Sequence, residues 1–220
     1  MIVTIDGPAG AGKSTVAKQL AERLGFCYLD TGAMYRAVAL AGQRQQIDWQ
    51  DETAVHELAQ KTTIRWARDR TLLNGEDVSD AIRSTEITAV VGQAADHPAV
   101  RHWLVDLQRS AADGVSLVTE GRDQGSVAFP DAACKIFLVA KAEERARRRV
   151  EDFRARGETV DFEKVLADIT SRDRADESRP VGALTEPLGA VCFDTDGLNI
   201  DEVVERLEQI VRGCVRFSPD

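Results

Sequence analysis

The chain has no Cys-x-x-Cys pair, no cluster of histidines and no apolar run approaching a membrane span. Each absence removes a class of protein. Cys27, Cys134, Cys192 and Cys214 are scattered, and three of them sit within apolar runs. That pattern predicts free, buried thiols in a reducing compartment, not a metal centre or a disulfide framework. His56, His97 and His102 stand at no metal-ligand spacing and receive no catalytic role. An excess of positive charge is missing too, since Lys and Arg number 28 against 37 Asp and Glu, a net charge of −9. Coating of DNA or RNA is therefore disfavoured, because affinity for those polyanions comes from cationic side chains that displace counterions. The first residues already read as strand and turn instead of a cleavable leader, so a cytoplasmic location is expected, with no membrane partner. There are no internal repeats and no low-complexity segment, and the last four residues are expected to be loose. What remains is 220 residues, 43% hydrophobic and 30% charged. That is enough for one α/β domain with an insertion and a real core.

The strongest positive feature is Gly7-Pro8-Ala9-Gly10-Ala11-Gly12-Lys13-Ser14, followed by Thr15. It is a full G-x-x-x-x-G-K-[ST] phosphate-binding loop placed after the β-branched run Ile2–Ile5. Lys13 to Leu24 then reads as a helix, with Val16, Ala17, Leu20, Ala21 and Leu24 along one face. The glycines let main-chain N–H groups turn inward toward phosphate oxygens, and the helix adds the positive end of its dipole. Lys13 is expected to reach the β- and γ-phosphates of a bound nucleoside triphosphate, and Ser14 to ligate Mg²⁺.

Five apolar runs read as strands: Ile2–Ile5, Cys27–Leu29, Val115–Thr119, Cys134–Val139 and Ala190–Phe193. Helical patterns lie between most of them, which predicts a parallel sheet covered on both faces. Between Thr62 and Asp80 the pattern changes to small antiparallel strands, Thr62–Ala67, Thr71–Leu73 and Glu76–Val78, with Asn74-Gly75 as a hairpin turn. Helices are expected over Ser84–Ala95, with Ser84 as N-cap, and over Ala99–Ala112. Ala142 to Arg174 is helical, charged and broken near Gly157, and Ile200–Val211 forms a final amphipathic helix.

No Asn-Lys-x-Asp guanine-reading segment, Ser-His-Asp set or paired carboxylates stand out. Arginines do. Arg36 follows Asp30-Thr31-Gly32-Ala33-Met34-Tyr35 just past the second strand, and Arg122 lies in Glu120-Gly121-Arg122-Asp123 just past the third. In open α/β sheets ligands bind outside the carboxyl ends of the strands. A planar guanidinium there suits a second phosphate. If the acceptor is itself a phosphate, its oxygen is already anionic and needs no general base. Catalysis then reduces to alignment and charge neutralisation.

Asp30-Thr31-Gly32-Ala33-Met34-Tyr35-Arg36, Gly75-Glu76-Asp77-Val78-Ser79, Ile82-Arg83 and Pro98-x-Val100-Arg101 resemble successive signatures of the bacterial cytidylate kinases. So do Glu120-Gly121-Arg122-Asp123, Phe129-Pro130-Asp131-Ala132, Glu144-Arg145-Ala146-x-Arg148-Arg149 and Arg172-Asp173-x-x-Asp176-x-x-x-Arg179. The resemblance runs in order over nearly the whole chain. It implies a P-loop kinase domain over residues 1–220, with a five-stranded parallel sheet flanked by helices. A monophosphate-binding region would span about 32–112, with its β insertion near 62–80, and a helical lid about 143–176. The implied reaction is transfer of the γ-phosphoryl group of ATP to CMP or dCMP with Mg²⁺, in pyrimidine nucleotide metabolism, by a monomer.

By the same resemblance, Arg101 and Asp123 would read the cytosine ring, and Asp176 and Arg172 would sit at the ribose. Thr31, Arg36, Arg122 and Arg179 would surround the acceptor phosphate and the transferred group. Arg145, Arg148 and Arg149 would belong to the lid or its hinge. Glu120 is an acidic residue near the expected Mg²⁺ position, and Tyr35 and Trp66 read as packing. The chain departs from the family pattern at Gly92, where serine is usual, which predicts weaker cytidine binding or looser base choice. Thr31 keeps the hydroxyl of the commoner serine. Gln124, Ser126 and Ala175 are also atypical, as is Pro180-Val181-Gly182-Ala183-Leu184 after Arg179. The alternatives are a P-loop kinase of another small acceptor, such as UMP, AMP or shikimate, or a nucleotide-switched binding protein.

Overall fold

The computed structural model describes residues 1–67, 70–155 and 157–215. In chain order come β1 (Ile2–Asp6), α1 (Lys13–Leu24), β2 (Cys27–Asp30), α2 (Thr31–Gln45), α3 (Glu52–Lys61), β3 (Ile64–Ala67), β4 (Arg70–Leu73) and β5 (Glu76–Asp77). They are followed by α4 (Thr85–Asp96), α5 (Pro98–Ala111), β6 (Leu117–Gly121), β7 (Cys134–Val139), α6 (Ala142–Ala155), α7 (Phe162–Ser178), β8 (Val191–Asp194) and α8 (Ile200–Val215). The chain divides into two compact units, Met1–Tyr28 with Gly114–Asp220, and Leu29–Asp113.

The five-stranded parallel sheet has the order β2-β6-β1-β7-β8. Its central strand is β1, paired in parallel with β6 and β7. Val3, Thr4, Ile5 and Asp6 are therefore all fully buried. A strand enclosed on both faces loses the polar-out alternation of a half-exposed one. In the first unit α1 packs Val16, Ala17, Leu20 and Ala21 into one cluster with Val118, Ile136 and Leu138 and with Val203, Val204, Leu207 and Val211 of α8. The helical stripe read from the sequence is the buried one. The third strand starts later than expected, at Leu117, because the N–H of Leu117 bonds to the Met1 carbonyl at the start of the ladder. Val115 is left exposed.

The charged helices α6 and α7 meet through a narrow stripe, Ala146, Val150, Val165 and Ile169. The rest of their surface can then stay polar. The thiols differ from expectation: Cys134 is buried, Cys214 is half-buried, and Cys27 and Cys192 are exposed. Cys27 and Cys192 lie in short strands at the two edges of the sheet.

In the second unit, β3, β4 and β5 form an antiparallel sheet. Asn74 and Gly75 connect β4 to β5 with φ of 51° and 87°, the positive pair that a tight two-residue hairpin requires. Ser84 caps α4 by accepting the Ile87 N–H at 3.3 Å. Residues 31–36 form the start of α2, capped by the Asp30 carboxylate, which accepts from Ala33 N–H at 2.9 Å. Asp51 caps α3 in the same way. The expectation for the last four residues lies outside the described part of the chain.

Candidate functional site

In the first unit, residues Gly7–Gly12 join the C-terminal end of β1 to the N-terminus of α1. Gly7, at φ of 147°, passes so close to the Leu138 main chain that no Cβ fits. The first turn of α1 has no side-chain cap, so its N–H groups remain available to an anion. Lys13 is buried at 5% exposure, and its ammonium donates to the Pro8 carbonyl at 2.7 Å. Burial and the Arg122 charge lower its pKa to about 7, although Glu120 and Asp6 pull the other way. The Ser14 hydroxyl donates to Glu120 Oε1 at 2.7 Å, which fixes the hydroxyl and leaves its oxygen lone pairs for a cation. A hard oxygen of this kind suits Mg²⁺, which in nucleotide sites takes few protein ligands and completes its shell with phosphates and water. Among the described residues no group of three or more His, Cys, Asp or Glu is gathered for a metal.

Asp176 organises the arginines of this unit. Its Oδ2 accepts from Arg122 Nε and its Oδ1 from Arg179 Nη2, each at 2.7 Å. All three side chains are largely enclosed, at 18% or less exposed. Burial alone would raise the carboxyl pKa, but Arg122, Arg179 and Arg172 hold it below the usual carboxylate range. The resemblance put Asp176 at the ribose; here both its oxygens hold guanidinium groups. Arg172 lies on α7 with its charge felt by Lys13 and Asp176. Asp123 is buried at 3% exposure. The atypical loop after Arg179 folds back so that Leu184 N–H bonds to the Asp176 carbonyl at 2.8 Å.

Arg145 is a brace within this unit. It donates to the Ala9 carbonyl of the phosphate loop and to the Ala140 carbonyl, each at 2.9 Å, and pairs with Asp173 at 2.7 Å. Arg148 grips Thr195 through its hydroxyl at 3.1 Å and its carbonyl at 2.7 Å. Arg149 lies over the Phe153 ring at 5.1 Å.

In the second unit, Thr31 opens α2 and is buried at 2% exposure. Arg36 sits further along α2, its Nη1 donating to Thr88 Oγ1 at 2.8 Å. Arg101 is buried, bonds to the Ala95 carbonyl at 2.8 Å, and stacks on the Tyr35 ring at 5.2 Å. Tyr35, read as packing, thus also orients an arginine. A Cβ on Gly92 would have only Asp96 Oδ2 nearby, at 3.9 Å. Sequence reasoning missed Asp6, Thr88 and the bracing role of Arg145. Only Arg145 had a local signal, its place in an arginine-rich helix; the others act through partners distant in the chain.

A parallel sheet, a glycine loop at the end of its central strand, a buried lysine and a bonded Ser14 hydroxyl define a P-loop nucleotide-binding protein. The family model for cytidylate kinase matches residues 3–213. A cytidylate kinase of Rhodopirellula baltica is 46% identical over 218 residues, covering 99% of this chain and 95% of that one. One from Caldanaerobacter subterraneus subsp. tengcongensis is 49% identical over 210 residues, covering 96% and 94%. A solved structure of an uncharacterized protein from Eubacterium ventriosum shares the fold, with a TM-score of 0.54 at 15% identity and coverage of 97% and 98%. The chain belongs to the cytidylate kinase family and is a nucleoside-monophosphate kinase.

Proposed function

We propose that the protein transfers the γ-phosphoryl group of ATP to CMP or dCMP, giving ADP and CDP or dCDP. The observation that carries this reading is the Arg122–Asp176–Arg179 cluster in the same unit as the uncapped phosphate loop. Two guanidiniums held by one carboxylate form an anion site separate from the main-chain amides that receive the triphosphate.

Residues Gly7 to Thr15 would wrap the ATP phosphates, with Lys13 on the β- and γ-oxygens. A phosphate beside the Lys13 ammonium would offset the burial that lowers its pKa. Ser14 would hold Mg²⁺, with its hydroxyl steadied by Glu120. When bound, Mg²⁺ supplies neutralisation of charge on the phosphate oxygens. Arg36, Arg122 and Arg179, with Thr31, would receive the acceptor phosphate and the developing charge. Arg101 and Asp123 would select cytosine: a carboxylate accepts from the exocyclic amino group, and a guanidinium donates to ring acceptors. Asp176 and Arg172 would serve the ribose edge, Asp176 only after ligand phosphate takes over its arginines. A region of about 143–176, made of most of α6 and α7, would close over the donor.

No helix among the described residues is long and apolar enough to cross a membrane. The reading carries a cytoplasmic monomer whose net charge of −9 disfavours nucleic acid. Coupled ADP release with CMP, dCMP, UMP, AMP and GMP in parallel tests it. CMP and dCMP should drive ADP production well above the others. ADP release no faster with any cytosine monophosphate than with buffer overturns the proposal.

A further inference from the structure

The last residue of β1, Asp6, is fully enclosed. Its two oxygens accept main-chain N–H groups from Gln124 at 2.8 Å and Gly125 at 2.7 Å. Those amides open a single wide turn, Gln124–Ala128, in which Phe129 N–H bonds to the Gln124 carbonyl at 2.7 Å, an i+5 step. Val127 and Ala128 N–H both reach the Asp123 carbonyl, at 2.8 and 3.1 Å. Turns of this π type are rare and are frequently found at functional sites. Two further contacts fasten it. Thr119 Oγ1 donates to Gln124 Oε1 at 2.9 Å in a buried bond. Gly125 lies so near β1 that a Cβ would meet Thr4 Oγ1 at 2.8 Å. Arg122 and Asp123 immediately precede this turn.

A carboxylate sits here against its solvation. The Asp6 pKa is raised to about 6, chiefly by burial and also by the Asp123 charge, against the lowering pull of the two N–H groups and of Lys13. Packing alone would favour a neutral group of the same size. What the carboxylate supplies is geometry, since it offers two acceptor oxygens and no donor.

We infer that Asp6 is a positioning residue for acceptor recognition: it seats the turn that presents Arg122 and Asp123 to the acceptor nucleotide. The inference rests on the reading of the protein as a (d)CMP kinase and extends it to a residue that acts only through the turn.

Asp6→Asn keeps the size and removes the charge, but sets an amide donor against one of the two N–H groups. The expected result is a loss of about ten- to a hundredfold in kcat/KM for CMP, the scale of one lost hydrogen bond to a charged group. The CMP-over-UMP preference should shrink with it and the KM for CMP should rise by a larger factor than that for ATP, while the melting temperature falls by several degrees because one buried N–H loses its acceptor. An unchanged preference, or a KM for ATP that rises in step with that for CMP, overturns the inference. Should the variant fail to fold, Thr119→Val decides. It leaves Asp6 intact, removes the bond from Thr119 to Gln124 within the same turn, and should erode base preference in the same direction by a smaller factor. Unchanged selectivity in that variant also overturns it. Failure of the parent reading looks different, because wild-type protein would then show no CMP-dependent ADP release at all.

Discussion

Replacing Asp176 by Asn removes the charge that holds Arg122 and Arg179 side by side. Each carboxylate oxygen makes one charge-assisted bond of 2.7 Å, and the exposures are 8% for Asp176, 6% for Arg179 and 18% for Arg122. Hydrogen bonds to charged groups contribute about 1.5–3 kcal/mol, and breaking a buried pair from one side costs about 3–5 kcal/mol because a charge is left uncompensated. Arg122 retains some solvent, which places the expected loss near the lower end, about 3 kcal/mol. At about 2–4 °C per kcal/mol for a chain of this size, the melting temperature should drop by about 6–12 °C. Urea unfolding of wild type, Asp176→Asn, Arg179→Met and the double variant would isolate the Asp176–Arg179 coupling. The pH dependence follows from the sign of the shift. The folded carboxyl is depressed below its ordinary 3.8, so its contribution is full above that value and is lost as pH falls through the folded pKa. The stability gap between wild type and Asp176→Asn should therefore be flat from pH 8 to about 5 and close under strong acid. A gap under about 1 kcal/mol at pH 7, the size of an exposed pair, would refute the reasoning.

Lys13→Ala should lower kcat by about a hundredfold or more with little change in the KM for CMP, since it removes charge stabilisation from the transferring group; steady-state kinetics check this. Tyr35→Leu removes the ring beneath Arg101 and should weaken CMP binding by about 0.5–2 kcal/mol, read as a higher KM for CMP at constant KM for ATP. Gly92→Ser meets no obstruction, so it should fold normally and sharpen the preference for CMP over UMP; unaltered constants for both acceptors would remove Gly92 from specificity. Leu20→Ala opens a cavity in the α1–α8 cluster and should cost about 2–5 kcal/mol in urea unfolding without changing base preference.

By itself the sequence determined whatever depends on neighbours a few residues apart. The phosphate loop follows from one glycine-lysine-serine string, the buried face of α1 from a 3.6-residue stripe, and the hairpin at Asn74-Gly75 from two residues that tolerate positive φ. The start of α2 was legible in principle, through Asp30 as its cap, but Thr31-Gly32 after a strand reads equally as a loop. Only tertiary structure decided which charges meet. Asp6 lies 118 residues from Gln124, Arg122 lies 54 from Asp176, and Arg145 lies 136 from Ala9. Local propensity carries no information across such separations. The Asp6 pairing arises because parallel strands bring the ends of β1 and β6 side by side, and an enclosed charge must find its partner in whatever the fold sets next to it.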